Sequence, residues 1–166
     1  MALFKNIVKN KAQTHLKEGD KAPDFNGVDQ DGNKISLKDF EGKKLVLYFY
    51  PKDDTTSCTA ESCNLRDNYS GLKKNGMEII GVSADNEKSH KKFTNKYSLP
   101  FRLIADTEMK VINLYGVWGE KIVFGRTYNG LLRTTFVIDE KGIIEKVFTE
   151  VDTKNHTEQI LSALRR

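Results

Sequence analysis

Hydrophobic positions along this chain come in two forms, short unbroken runs and runs spaced three or four residues apart. Residues 45–50 (LVLYFY) are continuously apolar and aromatic and are ended by Pro51, the pattern of a strand buried on both faces. Residues 77–83 (MEIIGVS) repeat it. Between them, from Cys58 to Asn75, the spacing turns helical: Leu65, Tyr69 and Leu72 share a face, and Gly76 stands where a C-cap belongs. Residues 33–37, after the turn-like DQDG, predict an earlier strand. Residues 87–97 predict a helix with Phe93 and Tyr97 one turn apart, stopped before Pro100. A short strand at 101–105 follows, and Asp106 opens a helix carrying Val111, Leu114 and Tyr115. TTFVIDEKGIIEKVF predicts a hairpin, with strands at 134–138 and 143–148 around a turn at 139–142. A final amphipathic helix starts near Asp152 and turns Ile160, Leu161 and Leu164 inward.

Strand, helix, strand, helix, then a hairpin and a last helix describe an α/β fold, a central mixed β-sheet flanked by helices. This order of elements resembles a thioredoxin-like fold. With neither internal repeats nor a low-complexity linker, one domain is expected, covering 16–166 behind an N-terminal extension at 1–15.

Composition changes little in this picture. The 166 residues are 38% hydrophobic and 30% charged, ordinary for a globular domain. No apolar run approaches the roughly 20 residues that span a bilayer, and the N-terminal stretch lacks the continuous apolar core of a signal peptide, so the expected compartment is the cytoplasm. The net charge of +4 comes from lysines spread along the chain, with no dense stripe to hold nucleic acid. Two cysteines do not make a disulfide scaffold, and His15, His90 and His156 form no ligand-spaced pair with them, so no metal site is expected.

The chemistry concentrates in PKDDTTSCTAESC, residues 51–63, which holds both cysteines. Cys58 falls where the strand has ended and the helix begins. Free N–H groups and the positive end of the helix dipole favour a thiolate there, and Thr55, Thr56 and Ser57 supply hydroxyls. A thiol so placed is a candidate nucleophile. Asp53, Asp54 and Glu61 oppose its ionisation, so a cation must offset them. Arg66 lies about 12 Å further along the helix axis, too far to serve. Arg133 begins the strand TTFVI, which as an antiparallel neighbour of LVLYFY starts at the end where LVLYFY stops. Arg102 and Arg126 are weaker candidates, expected at the solvated surface.

Five helical residues put Cys63 about 140° around the axis from Cys58 and roughly 7.5 Å along it. Cysteines whose Cα atoms lie more than about 7 Å apart are not bridged without backbone movement, so any disulfide between these two needs the helix start to unwind. Alone, Cys63 reads equally well as a small buried helix residue. Beside a nucleophilic Cys58 it gains a use, because a sulfenic acid needs a nearby thiol to resolve it.

YPKDDTTSC resembles the peroxiredoxin signature, with Pro51, Thr55 and Cys58 at its marked positions. CTAESC, with a second cysteine five residues on, is similar to the Q-type branch of the AhpC/TSA family, also called bacterioferritin comigratory protein. GDKAPDF (19–25), GVSADNEKSHKKF (81–93), YGVWGEK (115–121) and RTTFVIDEKG (133–142) extend the resemblance from about residue 16 to the C-terminus. It implies that Cys58 is the peroxidatic cysteine and Cys63 the resolving one, joined in an intramolecular disulfide. It also implies that Thr55 hydrogen-bonds thiolate and peroxide, Arg133 holds both, Glu61 orients Arg133 and Pro51 shields the pocket. Hydrogen peroxide and organic hydroperoxides are the implied substrates and thioredoxin or a similar dithiol the reductant, with no cofactor. An internal disulfide needs no partner subunit, which leans towards a monomer. The chain departs from the branch at Thr56-Ser57, where Pro-Gly is usual, which bears on the stiffness of the loop, and its first 15 or so residues have no counterpart.

The competing classes are a thiol–disulfide oxidoreductase, which would want a CxxC pair, and a redox sensor that turns over poorly. Thiolate formation alone does not make a fast peroxidase. A cysteine of ordinary pKa, about 8.5, is a few per cent thiolate at neutral pH, so full ionisation gains no more than roughly 30-fold. The remaining acceleration is expected from hydrogen bonds that strengthen as the O–O bond separates, supplied by Thr55, Arg133 and backbone N–H groups.

Overall fold

The run that Pro51 ends becomes the middle strand of the main sheet, and the rest of the molecule is arranged around it. A computed structural model describes residues 8–165. Along the chain run β1 (Val8–Asn10), β2 (Asn26–Val28), β3 (Lys34–Ser36), a 3-10 turn (Leu37–Phe40), β4 (Lys44–Phe49), α1 (Thr56–Asp67), α2 (Tyr69–Lys74) and β5 (Met77–Ser83). They are followed by α3 (Glu87–Tyr97), β6 (Arg102–Ala105), α4 (Lys110–Leu114), β7 (Trp118–Val123), β8 (Arg126–Leu131), β9 (Thr134–Ile138), β10 (Ile144–Phe148) and α5 (His156–Leu164).

The main sheet has the order β10-β9-β4-β5-β6. Strands β4, β5 and β6 are parallel, while β9 runs antiparallel to β4 and β10 to β9, so the sheet is mixed as expected. Alternation along β4 sends Leu45, Leu47 and Phe49 into one core, with Phe25, Tyr115 and Phe136. Val46, Tyr48 and the following Tyr50 enter the other, with Leu65, Phe93 and Ile160 from the helices. Burial on both faces is why the run has no polar interruption.

Two strands and a helix fall where expected: β5 and α3 match residue for residue, and β9 spans 134–138. Four features differ. The helix read from Cys58 to Asn75 is two helices parted at Asn68, whose side-chain amide donates to the Asn64 carbonyl (2.8 Å) and competes with helical bonding. Asp106 does not open a helix; its carboxylate accepts the N–H groups of Val111 and Ile112, so α4 starts at Lys110 and Leu114 is left 42% exposed. The last helix starts at His156, because Asp152 instead closes a turn onto the Asn155 N–H. Finally, β7 and β8 pair as a hairpin that β1 joins, where the sequence pattern predicted none.

One piece of register positions the site. Phe49 at the end of β4 pairs with Thr134 at the start of β9, so the chain leaving β4 and the chain entering β9 meet at the same end of the sheet.

Candidate active site

Beyond β4, residues 51–55 form a tight loop whose acidic side chains are tied down away from Cys58. Asp53, 8% exposed, accepts hydrogen bonds from the Tyr50 hydroxyl (2.6 Å) and the Ser89 hydroxyl (2.7 Å) and stands 2.7 Å from His90 Nδ1. Asp54, at φ 57°, accepts from Lys96 Nζ (2.7 Å) and the Tyr97 hydroxyl (2.6 Å), which together hold its carboxyl below the usual aspartate range. Of the three acids expected to oppose the thiolate, the two in this loop therefore have partners of their own on α3.

Thr55 is the N-cap of α1, with extended backbone, and its carbonyl accepts the first helical bond from the Thr59 N–H. Its hydroxyl donates back across the loop to the Lys52 carbonyl (2.9 Å) and forms no capping bond. Pro51 is half-buried at the end of the strand. Cys58 is the third residue of α1 and 1% exposed, so its sulfur lies in the first turn, where backbone N–H groups have no intrahelical acceptor.

The cation is Arg133. Its Nη2 donates to Cys58 Sγ at 3.2 Å and its Nη1 to Glu61 Oε1 at 2.7 Å, from a side chain only 17% exposed. Burial works against the guanidinium charge, but Glu61 and then Cys58 outweigh it and hold Arg133 above its ordinary value. Glu61, one helical turn beyond Cys58, is fully buried. A guanidinium fork spanning a carboxylate and a sulfur fixes the direction of its remaining N–H groups as well as its charge.

Both cysteines are free thiols, and α1 runs unbroken through them. Cys63 is half-buried, and burial pushes its thiol up, Arg66 opposing and Asp67 adding to the shift. Arg66 itself reaches the Tyr97 carbonyl (2.8 Å) and Asp67. Arg126 is exposed on β8, as expected. Arg102, with its side chain 38% exposed, lies at the surface as expected but is also anchored: its Nε donates to the buried Asp29 (2.8 Å) and its Nη2 to the Lys34 carbonyl.

Sequence reasoning missed two groups at this site. Lys121, 4% exposed, points inward from β7 and donates to the Leu131 carbonyl (2.8 Å). Burial and then Arg133 hold its ammonium down, with Cys58 acting the other way. Residues 118–123 (WGEKIV) do not alternate apolar with polar positions, so no sequence signal marked Lys121 as buried. His156, fully buried, stands 3.6 Å from Glu61 Oε2. Asp53, Asp85 and His90 also bring ligand-type atoms within 4.8 Å of one another. Hydrogen bonds account for that grouping: Asp85 accepts from the Asp53 N–H and the Ser83 hydroxyl, and His90 Nε2 meets the Ile104 carbonyl at 2.8 Å.

Known proteins place this geometry in a family. The model of the AhpC/TSA family matches residues 18–147. The chain is 44% identical over 150 residues to peroxiredoxin Bcp of Escherichia coli (strain K12), covering 90% of this chain and 96% of that protein. Among solved structures, peroxidoxin BcpB from Mycobacterium tuberculosis superposes with a TM-score of 0.80 at 30% identity, over 91% of this chain and 97% of that one. A Xanthomonas campestris bacterioferritin comigratory protein, studied for alkyl peroxide reduction, gives 0.78 at 30% identity, over 85% and 90%. The fold is the thioredoxin-like one that the order of elements resembles. With the family model and a relative of this identity both spanning most of its length, the chain belongs to the AhpC/TSA family, among its Bcp or Q-type peroxiredoxins.

Proposed function

We propose that this thiol-dependent peroxidase works through Cys58 as the peroxidatic and Cys63 as the resolving cysteine. The Cys58 thiolate attacks the near oxygen of a peroxide; the O–O bond breaks, and the departing oxygen takes a proton and leaves as water or an alcohol. Cys58 is left as a sulfenic acid. The observation that carries this reading is the Arg133 Nη2 bond to Cys58 Sγ at 3.2 Å, with Glu61 held behind the guanidinium. The same cation lies within reach of a peroxide bound at that sulfur, and its donors gain most when charge develops on the separating oxygens. The Thr55 hydroxyl donates its hydrogen bond to the Lys52 carbonyl, which leaves its oxygen lone pairs to accept from a peroxide O–H. Pro51 covers the side facing β4.

Resolution follows when the start of α1 unwinds. The Cys63 thiol loses its proton, attacks the Cys58 sulfur and expels the hydroxyl as water, leaving a disulfide. Unwinding also relieves the burial that keeps Cys63 protonated, so one motion supplies both reach and reactivity. Thioredoxin or a similar dithiol then returns the pair to two thiols and is itself oxidised. Substrates are hydrogen peroxide and organic hydroperoxides, the working unit a monomer and the compartment the reducing cytoplasm. We take residues 16–166 as the peroxidase domain and 1–15 as an addition to it, whose Asn10 donates to the Arg133 and Thr149 carbonyls.

Intact mass after one equivalent of hydrogen peroxide tests the assignment of the two thiols. Wild type should lose two hydrogens, Cys63→Ser should gain one oxygen and Cys58→Ser should stay unchanged. An oxidised Cys58→Ser, or a disulfide-free wild type, contradicts the assignment.

A further inference from the structure

The carboxylate behind Arg133 is only half accounted for. Glu61 is fully buried, and while Oε1 holds Arg133, Oε2 finds no hydrogen-bond partner among the described residues. A buried carboxylate oxygen without a partner is costly, and a buried ion pair missing part of its solvation is a weak anchor. Nε2 of His156 lies 3.6 Å from that oxygen.

The state of that ring can be read from its neighbours. Gln159 Oε1 accepts from the Asp152 N–H (3.0 Å), and its amide nitrogen donates to the Glu150 carbonyl (2.8 Å), which orients the amide. His156 Nδ1, 2.9 Å from that oxygen, is therefore the N–H donor. Nε2 lies between the Thr135 hydroxyl at 2.8 Å and Glu61 Oε2, and a proton there as well makes the ring an imidazolium facing the carboxylate. With a proton on Nε2, a ring shift of under about 1 Å brings Oε2 into hydrogen-bond range. β9 brings only the Thr135 hydroxyl to the ring and β10 the edge of Phe148, so Glu61 on α1, with Arg133 beyond it, is the charged group it faces. The ring is also fixed from behind. The Thr157 N–H donates to Asn64 Oδ1 (2.8 Å) and Asn64 Nδ2 to the Lys154 carbonyl (2.9 Å), so the start of α5 is pinned to α1 one turn past Glu61.

We propose that His156 is a positioning residue for peroxide reduction: its Nε2–H closes on the inner oxygen of Glu61, and Glu61 so held keeps Arg133 aimed at the Cys58 sulfur. With both its oxygens held, Glu61 does not swing within the site, and the guanidinium keeps the direction it has at 3.2 Å from the Cys58 sulfur. The inference rests on the reading of Cys58 as the peroxidatic thiol. It adds a buried chain of contacts from α5 through α1 to β9 that ends at the reacting atom.

The test measures the rate of Cys58 oxidation by hydrogen peroxide in the full-length protein. His156→Asn retains a donor towards Gln159 but falls short of Glu61, whereas the longer amide of His156→Gln reaches it. His156→Asn should slow the reaction about tenfold, the loss of one charge-assisted hydrogen bond, and His156→Gln should recover most of that rate. On a Glu61→Gln background, His156→Asn should cost nothing further. A folded His156→Asn within twofold of wild type overturns the proposal, as do losses that multiply in the double variant. Should His156→Asn not fold, His156→Gln is compared with and without Glu61→Gln under the same criterion. A Cys58→Ser protein that still consumes peroxide overturns the underlying reading instead, whatever the His156 variants do.

Discussion

At the scale of single residues the site depends on one guanidinium shared between a carboxylate and a sulfur. Ionising a cysteine completely gains at most about 30-fold in thiolate at neutral pH, so the proposed role of Arg133 extends to the separating oxygens. Arg133→Ala should therefore slow peroxide reduction by roughly 10²–10³-fold, measured by stopped-flow kinetics at a pH where Cys58 is fully ionised in both proteins. A loss that vanishes at that pH would mean Arg133 serves only to make thiolate. Arg133 was legible from the sequence because antiparallel pairing of two recognisable strands places it beside the end of β4, and Phe49 does pair with Thr134. Thr55 was legible in position but not in partner, since its bond to the Lys52 carbonyl depends on how the loop closes. Lys121 and His156 were not legible, one because its strand went unrecognised and the other because nothing in residues 152–164 says which side chains α1 presents to it.

At the scale of elements, α1 meets two opposed demands. As a helix it offers Cys58 the free N–H groups of its first turn and holds Glu61 one turn on, under Arg133. The same helix keeps Cys63 too far round the axis for a disulfide. Resistance to unwinding comes from beside Cys63: Asn64 accepts from the Thr157 N–H and donates to the Lys154 carbonyl, clamping α1 to the segment that leads into α5. Thr56 and Ser57 leave the first turn without the stiffening a proline supplies, so melting can start there while the Asn64 clamp holds the far end. Of the elements buried on both faces, β4 was readable because nothing polar interrupts Leu45 to Phe49, and β5 because Glu78 is its only charged residue. The β7–β8 hairpin was not, because Arg126 to Asn129 are all exposed and carry no alternation of apolar residues.

At the scale of the whole molecule, stability is carried by contacts well away from the cysteines. Asp29 joins the β2–β3 hairpin to the sheet edge. One of its oxygens accepts the Asp31 and Asn33 N–H groups, and the other accepts Arg102 Nε, which itself sits on β6. Burial pushes the Asp29 carboxyl up, but the Arg102 bond and the two N–H donors outweigh it and hold it below the usual range. A depressed carboxyl stabilises the fold above the unfolded-state value, near pH 4, and that contribution is lost as pH falls through the folded value. Asp29→Asn should thus cost roughly 2 kcal/mol in urea unfolding at pH 7, and the gap from wild type should close as pH is lowered below about 4. A gap independent of pH would mean that shape, not charge, holds this corner. No helix among the described residues is long and apolar enough to cross a membrane.

The central claim is that one helix serves two states, folded to present Cys58 and melted to join it to Cys63. Hydrogen exchange across residues 56–66, compared between the reduced protein and the disulfide form, tests it most directly. Exchange should accelerate in that segment on oxidation while β4 and β5 keep their protection. Equal protection of residues 56–66 in a protein whose mass shows the disulfide formed would contradict the account.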